Sequence, residues 1–102
     1  MNVRWTRRAA FDLAAIATFI VADNPVAAKR LVKSIRASAK KLARFPRMGR
    51  VVPEFGDETV REIVVGNYRI VYRIGEKTID VLTVFEGHRL MPVDLRAPDG
   101  SD

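Results

Sequence analysis

The run Tyr68-Arg69-Ile70-Val71-Tyr72-Arg73-Ile74 sets two arginines at strand spacing inside an otherwise apolar segment. Period-two alternation sends Tyr68, Ile70, Tyr72 and Ile74 to one face of a sheet, and Arg69, Val71 and Arg73 to the other. A guanidinium offers a planar fork of donors, so arginines held on a strand suit the grasp of a carboxylate or a phosphate. Beyond that the chemistry is narrow. The chain has a single histidine, His88, and no cysteine, so a metal site would need clustered carboxylates, and none occur at ligand spacing. No metal and no cofactor are expected. There is no glycine-rich phosphate loop; Gly66-Asn67-Tyr68 and Gly75-Glu76-Lys77 read as turns.

Three strand-like runs surround the arginines: residues 60–65, 68–74 and 79–85. With Gly66-Asn67 as a two-residue turn, Val65 faces Tyr68, Ile63 faces Ile70 and Arg61 faces Tyr72. Val60, Glu62 and Val64 then share a face with Arg69, Val71 and Arg73. If Glu76-Lys77 makes the next turn, Ile79, Val81, Thr83 and Phe85 join the apolar face. Asp80, Leu82 and Val84 join the arginines, with Asp80 opposite Arg73. A one-residue slip would bury Asp80 beneath the helices, which favours this register. Cross-strand pairs of about 0.2–1 kcal/mol each are then open to Arg73 with Asp80, and to Arg69 or Arg73 with Glu62. Such pairing accounts less well for Arg69, which lies beside Val64 and Val84 and is the better candidate to grasp a ligand.

The elements that position this sheet come earlier in the chain. The run Asn2-Val3-Arg4-Trp5-Thr6 reads as a short strand with Val3 and Trp5 on one face, and Thr6 as the N-cap of a helix over about 7–22. Leu13, Ile16, Ala17, Ile20 and Val21 form its apolar stripe, with Phe11 well outside it. Asp23-Asn24-Pro25 breaks the chain, Asn24 capping and Pro25 opening a second helix over about 25–44. Ala28, Leu31, Val32, Ile35, Ala39 and Leu42 make one arc of that helix. Lys29, Arg30, Lys33, Arg36, Lys40, Lys41 and Arg44 make the other, with no acidic residue among them. Like charges at i,i+4 cost a few tenths of a kcal/mol each, so a face of one sign is expected to serve a partner.

The chain's net charge is +6 over 102 residues, and 48% of it is apolar, enough for one modest core. Twelve Lys/Arg stand against Asp12 and Asp23 in residues 1–50, while six basic residues face ten acidic ones in residues 51–102. A basic half points to an acidic partner. No signal peptide is apparent, and no apolar run is long enough to span a bilayer, so a soluble, cytoplasmic protein without membrane contact is expected. The fold expected is α+β: an N-terminal strand and a two-helix hairpin on one face of a mainly antiparallel sheet of about four strands. A single domain over 1–95 and a loose tail over 96–102 complete the reading.

The order of strand, helix hairpin, Phe45-Pro46-Arg47-Met48-Gly49-Arg50 connection, VREIVVGNYRIVYRI hairpin and IDVLTVFEGHR strand resembles the RelE/ParE superfamily of type II toxin–antitoxin toxins. The resemblance runs over about residues 3–92, its specific parts being the hairpin and the final strand with its Gly-His-Arg exit. Two activities occur on that fold. The RelE branch implies a ribosome-dependent mRNA endonuclease, with Arg69 and Arg89 stabilising charge on the scissile phosphate and His88 as the remaining titratable group. The sequence departs from that pattern: Arg61, Glu62 and Ile63 stand where the branch carries lysines, and Leu95 where a catalytic tyrosine is expected.

The ParE branch, which the sequence resembles more closely, implies a DNA gyrase inhibitor without catalytic residues. Lys33, Arg36, Lys40, Arg69, Arg89 and the segment after Gly87 would then meet the target. Either branch implies a cognate antitoxin, ParD-like in the second case, whose C-terminal segment wraps the toxin. The sheet face of Val60, Val64, Val71, Leu82 and Val84, ringed by Arg69 and Arg73, would suit an acidic amphipathic peptide. DNA would be met only through the antitoxin, since no recognition-helix motif is present. A third reading is a toxin fold that keeps antitoxin binding without toxicity.

Overall fold

Thr6 joins the first strand to the first helix in one residue. Its backbone is extended (φ −66°, ψ 160°) and its side chain accepts the N–H of Ala9, 3.1 Å away. The same hydroxyl donates to the Val81 carbonyl at 2.7 Å, so the N-cap is also a tie to the middle of the sheet. In this computed structural model, which describes residues 1–92 and Leu95, β1 spans Asn2–Trp5, α1 Arg7–Val21 and α2 Pro25–Lys41. The tail expected over 96–102 lies outside the described residues. Asn24 accepts the N–H of Ala27 at 3.0 Å, and Pro25 opens α2. The last expected residues of α2 tighten into i→i+3 bonds, as from Ala43 N–H to the Lys40 carbonyl. That is how orphan carbonyls at a helix end are commonly satisfied.

The sheet has five strands in the order β1-β5-β4-β3-β2, with β2 at Arg50–Val51, β3 at Val60–Val65, β4 at Tyr68–Ile74 and β5 at Thr78–Glu86. Only β1 and β5 run parallel; every other pair is antiparallel. The fold class is as expected, with β2 added from what reads in sequence as an irregular connection. The hairpin register is also as expected: Val65 faces Tyr68, Ile63 faces Ile70 and Arg61 faces Tyr72. Gly66 sits at the turn with φ 59°, a conformation that glycine adopts without a Cβ penalty.

On β5 the register holds only at first. Arg73 pairs with Asp80 and Tyr72 with Val81, but Val71 pairs with Thr83 across a bulge. The extra residue reverses the alternation beyond it. Val84, expected beside the arginines, instead packs with Ala9, Leu13, Ile35 and Ile70 on the helix side. Phe85, expected under the helices, lies with Val71 and Leu82 on the opposite side.

That opposite side is a second core. Val52, Val60, Val71, Leu82, Phe85, Met91 and Leu95 cluster there, with Phe55 against them. The expectation of an open apolar face is therefore corrected: Val60, Val71 and Leu82 are covered by the chain's own loops, and of the apolar residues expected there only Val64 is exposed. Burying a side chain of this size contributes about 1.5–3 kcal/mol, so a half-apolar face in a small domain is covered when the chain has segments to spare. Tyr72, fully buried, fastens one edge: its hydroxyl accepts the Gly49 N–H at 3.0 Å and donates to the Pro46 carbonyl at 2.6 Å. Burial holds the phenol's pKa above its ordinary value. No helix among the described residues is long and apolar enough to cross a membrane.

Candidate functional site

Arg69 is not the free cation its opposite neighbours suggest. It donates to Glu62 through Nε at 2.6 Å and again through its terminal nitrogen. Glu54 lies 3.6 Å away, and the guanidinium stacks over the Phe85 ring at 5.0 Å. Glu62 is fully buried and takes a further bond from Arg50 Nε. The diagonal position explains the pairing: Val64 is directly opposite Arg69, but residues two along on the same face remain within reach of a long side chain. Arg73 makes none of the pairs expected of it. Asp80 accepts from Arg4 on β1 at 3.0 and 2.9 Å, and Glu62 is occupied by Arg50 and Arg69. A carboxylate already fills the fork that a phosphate would need.

The basic face of α2 is the opposite case. Lys29, Arg30, Lys33, Arg36, Lys40 and Lys41 are all exposed, and none takes part in the ion pairs found among the described residues. Arg36 lies over the Trp5 ring at 5.3 Å, and Arg44, just beyond the helix, over Phe45 at 5.8 Å. The buried side of α2 is small and apolar, with Ala28, Ile35 and Ala39.

A third surface is one that sequence patterning underrated. Between α1 and the end of β5 runs a groove of about 530 Å³, with Ile16, Phe19, Tyr68 and Leu90 among its apolar walls. Phe19 and Leu90 are 78% and 92% exposed, large apolar surface that water should not be left to cover. Polar groups sit within it: Asp12 accepts from Arg8 at 2.9 Å and from the Thr83 hydroxyl, and Arg89 lines the same groove. Phe11 is likewise 70% exposed on α1, and with Phe19 eight residues on, it gave the available signal. No α2 residue lines this groove, so Arg89 does not join Lys33, Arg36 and Lys40 in one patch.

The residues of the endonuclease reading have different surroundings. His88 and Arg89 are exposed in the turn after β5. Arg69 lies inward of that turn, its Cγ 3.7 Å from where a Cβ on Gly87 would sit. Leu95, where a tyrosine is expected in that branch, is 5% exposed within the second core. Among the described residues no cluster of metal-ligating side chains occurs.

Comparison with known proteins agrees with this architecture. The family model described as ParE toxin of type II toxin-antitoxin system, parDE, matches residues 3–91. The chain is 36% identical over 96 residues to putative toxin Y4kP of Sinorhizobium fredii, covering 89% of this chain and 93% of that one. It is 34% identical over 90 residues to toxin RelE2 of Caulobacter vibrioides, covering 87% and 98%. A solved structure of the chromosomal ParDE TA system from P. aeruginosa superposes with a TM-score of 0.72 at 28% identity, over 84% of this chain and 95% of that one.

Proposed function

The chain belongs to the ParE toxin family of type II toxin–antitoxin systems, and from that membership we propose that it inhibits DNA gyrase by binding, without chemistry of its own. The observation that carries the non-enzymatic reading is the state of Arg69. Its guanidinium is spent on buried Glu62 and the Phe85 ring, so it is not poised to stabilise a phosphate oxyanion. Leu95 supplies no acid or base where one would be needed. A ParD-like antitoxin completes the pair. Its docking segment fits the α1–β5 groove better than the covered sheet face, because there Phe19 and Leu90 stand exposed beside Arg89. An amphipathic segment would bury them and place an acidic residue near the arginine.

Induced expression of the chain alone tests the activity. Filamentous growth arrest with a DNA-damage response and intact transcripts is the expected result, together with loss of supercoiling by purified gyrase. Transcripts cut at ribosome-bound codons would replace this reading with the mRNA endonuclease, and would make Arg69, His88 and Arg89 the next substitutions. No arrest would leave a toxin fold that only binds its antitoxin.

A further inference from the structure

We infer that the exposed face of α2 is a direct, sequence-independent binding surface for the phosphate backbone of duplex DNA. Lys29, Lys33, Arg36 and Lys40 recur at i+3 and i+4 and so fall within an arc of about 60° over about 16 Å of helix. Arg44 extends the row past the helix end. These side chains are exposed, and none pairs with an acid among the described residues. The helix itself has no acidic residue in its first turn or anywhere else along it. Their charge is therefore uncompensated among the described residues, along an exposed flank of α2 beside its buried stripe of Ala28, Ile35 and Ala39.

Two further features choose the ligand. A run of exposed lysines and arginines along a convex helix neutralises phosphates spaced along a duplex, releasing counterions. Three of the four helical residues in the row are lysines, compact point charges that suit phosphate oxygens, and the one arginine, whose fork could read a guanine edge, is packed over the Trp5 ring. Single-strand capture needs aromatic faces on which bases stack, whereas the two rings beside this row, Trp5 and Phe45, each have an arginine packed over them. What is left is a backbone grip without sequence preference. DNA would then be met by the toxin itself and not only through the antitoxin. The inference stands apart from the gyrase reading, since it needs neither gyrase nor antitoxin.

The test is fluorescence anisotropy of the full chain with labelled duplexes of unrelated sequence, titrated at several salt concentrations. The wild type should bind all duplexes alike, with log K falling against log salt at a slope of about −4, as four to five neutralised phosphates require. The double variant K33E/K40E should bind at least about tenfold more weakly in low salt, with a slope shallower by about 2. A control of equal charge change off α2, R7E/K77E, should keep the wild-type slope; circular dichroism checks that all three chains fold. No binding by the wild type at about 50 mM salt would overturn the inference, as would equal losses in the control. Binding of polyglutamate through α2 in place of duplex would overturn it in favour of an acidic protein segment. Since the assay contains no gyrase, failure here leaves the gyrase reading standing, and failure of that reading leaves this one.

Discussion

The solvent face of α2 and the outer face of the sheet both carry arginines among apolar neighbours, yet they treat charge in opposite ways. On the sheet, Arg50 and Arg69 converge on Glu62, whose carboxylate is shut from water, and Phe85 closes over the guanidinium. On α2, the cations meet no acid among the described residues and stay in solvent. The difference teaches that an arginine's type and spacing do not tell structural from functional use. Its compensation does. A buried carboxylate without its cations is costly, so the sheet cluster holds the domain together, while a screened surface row adds little to stability and remains available to a partner.

The sharpest way to break this comparison is Glu62→Gln. Removing the buried anion leaves Arg69 facing a neutral amide, and a loss of about 3 kcal/mol is expected in urea unfolding. If the variant unfolds like the wild type, the sheet cluster is not structural. Gly49→Ala should cost about 1–3 kcal/mol in the same measurement. A Cβ there would sit 2.5 Å from the Glu62 carbonyl and 2.7 Å from the Tyr72 hydroxyl, so the backbone must shift.

Tyr72→Phe strands the Gly49 N–H and the Pro46 carbonyl and should cost about 1–2 kcal/mol near neutral pH. It also carries a pH signature. Burial raises the phenol's pKa in the fold, so the folded chain holds that proton more tightly than the unfolded one. The wild type's contribution from this group is intact below the ordinary value of about 10 and is lost as pH rises through the folded value. The gap between wild type and variant should therefore narrow in alkali.

Smaller stability changes belong to the exposed surfaces. Leu90→Asp should leave the unfolding midpoint within about 0.5 kcal/mol of the wild type while weakening antitoxin capture in a titration, because it puts a charge in the groove. K33A/K40A should also stay within about 0.5 kcal/mol, on the stabilising side, since it relieves like-charge repulsion along α2. A large destabilisation in either would erase the contrast between the two regions.

Local chemistry is legible in the amino-acid sequence by itself. Thr6 and Asn24 cap the two helices because their oxygens accept an N–H three residues on, and Pro25 suits the first turn because its missing N–H is not needed there. Gly66 turns the hairpin, and the alternation of 60–65 against 68–74 sets its register. These are interactions between residues close in sequence, or between strands joined by a two-residue turn. Three outcomes are decided only by tertiary packing. The bulge opposite Val71 and Tyr72 carries no glycine to announce it, yet it exchanges the faces of Val84 and Phe85. The cover over Val60, Val71 and Leu82 comes from Val52, Phe55, Met91 and Leu95, segments that have no periodicity to betray where they fold back. And of the two arginines open to Glu62 in the sequence, packing gives the carboxylate to Arg69, on the diagonal, together with Arg50, because a long side chain in a dry cluster goes to the charge and not to the register.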